Sequence, residues 1–154
     1  RCGKGNCQTG PFMNTTASWI FEIENRLQDI ALAVDTYDID LLLSCCCKNA
    51  CFDLGDRFQG SAKELMIFLQ ASRPSTLMMS HVITDVVVRI ESKFEAVSTS
   101  TVAAKIVRNV GQSIQHRSVT GRYEDEWSRN QNRWLLRARR YFQVDQHFEY
   151  PGLS

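Results

Sequence analysis

Residues 79–97 read MSHVITDVVVRIESKFEAV, and the fold depends on whether this stretch is a helix or a strand. Val86, Val87 and Val88 are β-branched and suit a buried strand. Yet Met79, Val82, Ile83, Val86, Ile90, Phe94 and Val97 keep a helical period on both sides of the triplet. The period predicts a helix with Ser75 as N-cap, apolar over so wide an arc that it would lie at the centre of a bundle.

The segments around it read the same way. A helix is predicted from about Ala17 to Val34, with Thr16 as N-cap and Ile20, Ile23, Leu27, Ile30, Ala31 and Val34 on one face. A second starts at Asp38, runs through Leu41, Leu42 and Leu43 into the cysteine cluster, and stops near Gly55 or Gly60. Ser61-Ala62-Lys63-Glu64 is a capping box opening a third, which Pro74 ends at or before Arg73. Two more are read over about 101–115, weakened by Gly111, and about 122–142. The expected fold class is therefore all-α. It is a compact disulfide-stabilised bundle of five to six helices over 16–143, with an N-terminal arm (1–15) and an irregular tail (144–154), all in one domain.

The 154 residues fit one domain able to bury a real core. Net charge is +1, which excludes a strongly basic nucleic-acid binder. No run of about 18 apolar residues suggests a membrane-spanning helix. Six cysteines fall into two clusters: Cys2 and Cys7, then Cys45, Cys46, Cys47 and Cys51. Such a pattern predicts disulfides in an oxidising compartment. If all six pair within one chain, at least one bond joins two members of the 45–51 cluster. Tying the arm to that cluster closes loops of about 40 residues, worth about 3–4 kcal/mol. The spacing lacks the paired CxxC of structural zinc sites, so no metal is expected. Cys46-Cys47-x3-Cys51 matches the opening of the insulin A-chain pattern, but the later cysteine of that pattern is absent. Asn14-Thr15-Thr16 is an N-glycosylation acceptor. With a chain that starts at Arg1 and shows no signal peptide, these features predict a secreted, extracellular glycoprotein in its mature form.

Catalytic motifs are missing. His81, His116 and His147 are isolated, without HExxH, and read as packing or surface residues. No serine lies in GxSxG, and the glycines of RCGKGNC lack P-loop spacing. No catalytic residue and no cofactor are expected.

The informative surface is at the C-terminus. Arg129, Arg133, Arg137 and Arg140 recur at four, four and three, which on a helix makes one stripe beside Trp127 and Trp134. Every basic residue from Arg108 onward is arginine, whose fork suits carboxylates and phosphates. The alternative is a merely solvated face, with Asp125 and Arg129 as an i,i+4 pair. The function expected is a non-enzymatic effector-, toxin- or cytokine-like protein, a virulence factor for instance, that binds a host protein or receptor through this basic-aromatic face. A carrier of a small hydrophobic molecule, its cavity lined by Met66, Met78 and Met79 with the tryptophans, is the first alternative. An enzyme on a helical scaffold, its arginines holding an anionic substrate, is the second.

Overall fold

A computed structural model describes residues 15–151. Two helices open the chain, α1 (Thr16–Thr36) and α2 (Ile39–Cys45). They are followed by strand β1 (Cys46–Asp53), the short strand β2 (Gln59–Ser61) and helix α3 (Ala62–Ser72). Four long strands complete it: β3 (Thr76–Ile90), β4 (Glu95–Val110), β5 (Ser113–Asn130) and β6 (Arg133–Glu149). The strands form one mixed sheet in the order β2-β1-β6-β5-β4-β3, antiparallel except where β1 runs parallel to β6.

The expected all-α bundle is thus corrected. In its first half the first and third expected helices stand, but the second stops at Cys45, and its expected continuation through the cysteine cluster is strand β1. Thr15, one residue before the expected Thr16, caps α1, and Asp38 caps α2. Both halves of the Ser61–Glu64 capping box form. From residue 76 onward the three expected helices are strands.

The physical reason lies in the bulges. On β3 the inward residues are Met79, His81 and Ile83; then the register shifts between Thr84 and Val87, with Asp85 at φ 50°, and the inward set becomes Val86, Val88 and Ile90. Skipping one residue turns a strict two-residue alternation into steps of four, three and four at 79, 83, 86 and 90. A bulged strand therefore imitates a helix. The same happens on β6. Trp134 and Leu136 point inward, a register shift follows, and Arg139 and Tyr141 point inward after it. Two-residue turns link the last three strands: Gly111-Gln112, and Gln131-Asn132 with both residues at positive φ.

The bulges also bend the sheet so that its inner face wraps the helices. One end of that face is sealed. Trp127, Trp134 and Leu136 pack there with Ile23, Leu27 and Leu42, all fully buried. Each tryptophan has a polar tie: the indole N–H of Trp127 donates to Ser98 Oγ (2.9 Å), and the backbone N–H of Trp134 donates to Glu22 Oε1 (2.8 Å). The small inward residues Ala96, Ser98 and Ser100 of β4 make room for these rings. Toward the other end the layers separate and a cavity opens.

The disulfide expectation is also corrected. Among the described residues no disulfide forms, and Cys45, Cys46, Cys47 and Cys51 are free. Cys45 ends α2 while the other three lie on β1, and burial pushes the Cys46 thiol up to about 12. Cys2, Cys7 and Asn14 lie outside the described residues.

Candidate active site

The cavity has a volume of about 100 Å³ and lies between the sheet's inner face, the end of α1 and α3. Its walls are mostly apolar: Ile30 and Val34 of α1, Leu65 and Leu69 of α3, Val102 and Ile106 of β4. About 150 Å³ of dry apolar cavity suffices for benzene. The space here is smaller than that, so it encloses a short branched chain or part of a ring, with the remainder in the open mouth.

Into these walls the fold inserts a few polar groups. His81 comes from the inward row of β3, and Asp35 from the last turn of α1, which lies along that strand. Asp35 Oδ2 accepts the backbone N–H of His81 at 2.8 Å, while Oδ1 meets His81 Nδ1 at 2.5 Å. An ionised carboxylate only accepts, so Nδ1 carries the proton. In the neutral ring the lone pair is then on Nε2, the nitrogen not engaged by Asp35. The two side chains are 15% and 18% exposed: sheltered, yet reachable from the cavity.

A second group comes from β5 and β6. Arg139 donates from Nε and an Nη to the two oxygens of Asp125, both at 2.8 Å. Burial disfavours the guanidinium charge, but the adjacent Asp125 carboxylate outweighs it and holds Arg139 above its ordinary value. The guanidinium carbon lies 3.9 Å from the centre of the Tyr123 ring, and Tyr123 leans on Tyr141 with centroids 5.7 Å apart. Gly121 permits this stack, since a Cβ there would lie 2.2 Å from Tyr141 Cε2. The Tyr141 hydroxyl is buried and has no partner among the described residues. Burial pushes its phenol up, against the pull of Arg57 and Arg117, so it stays a donor at neutral pH. Arg57, in the turn after β1, and Arg108, at the end of β4, complete the lining.

The expected surface residues fall elsewhere. Trp127 and Trp134 are in the core with no exposed area. Arg129 is half-buried on β5 with its guanidinium over the Trp19 ring at 4.7 Å. Arg133, Arg137 and Arg140 are exposed on β6. Arg133 reaches the Ser44 carbonyl, Arg137 pairs with Glu95 and Glu126, and Arg140 sits 3.9 Å from Asp53. No helical stripe exists. Of the methionines, Met79 lines the cavity, Met66 is in the core and Met78 is exposed. His81 had been set aside as isolated. Its partner is 46 residues away in sequence, and no local spacing could have named it.

A curved mixed sheet closed by three helices over one acid–base cavity defines a small α+β domain of the nuclear transport factor 2-like kind. Residues 16–140 match the model of the SnoaL-like domain, and the chain belongs to that family. A search of curated proteins finds no match. Among solved structures the chain is similar to a candidate scytalone dehydratase from Novosphingobium aromaticivorans. Identity is 16% and the TM-score 0.77, over 87% of this chain and 89% of that one. It is similar to a candidate aromatic ring hydroxylase from the same organism, at 22% identity and TM-score 0.75 over 88% and 95%. It is also similar to a LinA-type3 hexachlorocyclohexane dehydrochlorinase from Novosphingobium barchaimii, at 14% identity and TM-score 0.75 over 90% and 93%. These identities carry the fold. Family and fold overturn the expectation of a non-enzymatic, toxin- or cytokine-like helical binder: the chain is a SnoaL-like domain whose sheet and helices surround a cavity.

Proposed function

We propose that this protein is an enzyme that takes a proton from a carbon of a small, largely apolar substrate and expels a leaving group from the neighbouring carbon. The observation that carries this reading is the His81–Asp35 pair set in an apolar cavity. Nε2 of His81 accepts the proton. The electrons of the broken C–H bond form the new double bond, and the leaving group departs with the pair that held it. Asp35 fixes the tautomer and stabilises the imidazolium as it forms. The Tyr141 hydroxyl supplies a donor for negative charge developing on the substrate. Two of the similar structures bear names of elimination enzymes, a dehydratase and a dehydrochlorinase. A ligand-binding role without chemistry would use the same cavity but leave the histidine–carboxylate pair without a task.

The test needs no natural substrate. 5-Nitrobenzisoxazole loses its ring C–H to a general base, its N–O bond breaks, and the released phenolate is coloured. Wild-type protein is expected to accelerate this elimination, and His81→Ala to lose about 10²–10⁴ of the rate, the usual worth of a positioned base. Equal rates for wild type and His81→Ala, with both folded by circular dichroism, would overturn the reading.

A further inference from the structure

Three arginines gather at one side of the cavity. Arg57 and Arg108 line it, and Arg117 stands near enough to both for their charges to depress its own, after burial has done so. Arg117 Nε donates to the neutral Gln146 Oε1, and its guanidinium lies 5.8 Å from the Phe148 centroid. Among the described residues none of the three forms a salt bridge, although most other arginines of the chain do. Arg108 Nε is buried with no acceptor among the described residues. The Tyr141 hydroxyl, equally buried and unpartnered, feels the charges of Arg57 and Arg117.

Like charges brought together under partial burial are costly unless an anion offsets them. A donor sealed from water with nothing to donate to is costly as well. Both costs fall on one patch, and the missing partner has one chemistry: an anion presenting acceptor oxygens to guanidinium forks and a phenol. The rest of the cavity is mostly apolar and encloses a short chain or part of a ring, with its mouth open to the remainder.

We propose, resting on the elimination reading, that the substrate is a small organic carboxylate. Its acid group is held by Arg108 and Arg57, which line the cavity's basic side, with Arg117 adding its charge, and its apolar body extends toward His81. A carboxylate fits better than a bare phosphate because the anion must carry an apolar body into the remaining volume.

Calorimetric titration with benzoate, its uncharged isostere benzamide and inorganic phosphate tests this. Benzoate is expected to bind at least tenfold more tightly than either of the others, and more weakly as salt rises. Arg108→Gln should lose tenfold or more in benzoate affinity, and Arg108→Lys should recover only part of it. If Arg108→Gln unfolds, Arg57→Gln, in an exposed turn, gives the second reading. Benzamide binding as tightly as benzoate, or benzoate affinity unchanged in a folded arginine variant, would overturn the proposal. Phosphate binding as tightly as benzoate would overturn it too, by showing a bare anion site. The two readings fail separately. Benzoate binding by His81→Ala probes the anion site alone, and proton removal from the neutral benzisoxazole by wild type probes the base alone.

Discussion

Two carboxylates meet basic side chains on the inner side of this sheet, and they are held in opposite ways. Asp125 is clamped by Arg139 through two parallel 2.8 Å bonds, with side chains only 1% and 5% exposed. Every strong acceptor site on that carboxylate faces a permanent cation, so the pair has no proton to move. Asp35 spends one oxygen on the His81 backbone and the other on the ring, and the ring keeps its second nitrogen for the cavity. The difference teaches what separates a structural pair from a working one. The first commits both carboxylate oxygens to a permanent cation and is almost fully buried; the second leaves one ring nitrogen not engaged by the carboxylate.

The first way to break the contrast is to remove a clamp partner. Arg139→Met leaves Asp125 buried without a counter-charge, and the expected cost is about 3–5 kcal/mol in urea unfolding. Burial already pushes the Asp125 carboxyl up. Without Arg139 its folded value rises further above the unfolded one. The variant should therefore lose stability as pH rises through the carboxylate range and regain it as pH falls. The double change Asp125→Leu with Arg139→Met should recover much of the loss, because two apolar groups then replace the pair. If the single variant is as stable as wild type, the clamp is not structural. Asp35→Asn asks the complementary question. An amide facing Nδ1 can stabilise the wrong tautomer, so elimination of the benzisoxazole should slow by about 10²–10⁴. Urea unfolding should move by no more than about 1 kcal/mol for one altered, partly exposed hydrogen bond. A large stability loss with little change in rate would make Asp35 a second clamp.

A smaller effect ties the two regions together. Gly121→Ala places a methyl against Tyr141 and against the Phe142 carbonyl oxygen, 2.7 Å away. Overpacking should cost about 1–3 kcal/mol and displace the Tyr141 ring in the cavity. Stability and elimination rate should fall together in this variant, whereas Asp35→Asn separates them. An unchanged rate would show that the Tyr141 hydroxyl serves no chemistry.

Much of the first half of the fold was legible. Asp38 and the Ser61–Glu64 box announce their helices through backbone donors that only a nearby side chain can satisfy, a signal wholly contained in the local sequence. The second half was not, for a reason visible in particular residues. Bulges on β3 and β6 insert an odd step into the alternation, so inward residues fall at helical intervals. On β4 the inward row includes Ala96, Ser98, Ser100 and Ala104, which fit beneath larger rings and carry no hydrophobic signal. The run Asn130-Gln131-Asn132 was the turn cue that could have split one long expected helix into a hairpin. Arg139 is not among the arginines of the expected stripe, and only the strand reading turns it inward. Asp35 and His81 could not be joined at all, because their meeting depends on α1 lying along β3.

A third carboxylate extends the series to full exposure and gives the smallest effect. Glu64 accepts the backbone N–H and the hydroxyl of Ser61, both at 2.7 Å, at the start of the helix that supplies Leu65 and Leu69 to the cavity wall. These bonds, the backbone one first, hold its carboxyl below the ordinary value. A depressed folded value means that its contribution is complete above the unfolded carboxylate range and is lost as pH falls through the folded value. Glu64→Gln should therefore flatten a slight acid-side slope in stability while leaving the neutral-pH elimination rate alone. A changed rate at neutral pH would show that the cap, directly before the wall residue Leu65, sets the position of α3 over the cavity. The ordering by consequence would then follow distance from the cavity rather than burial.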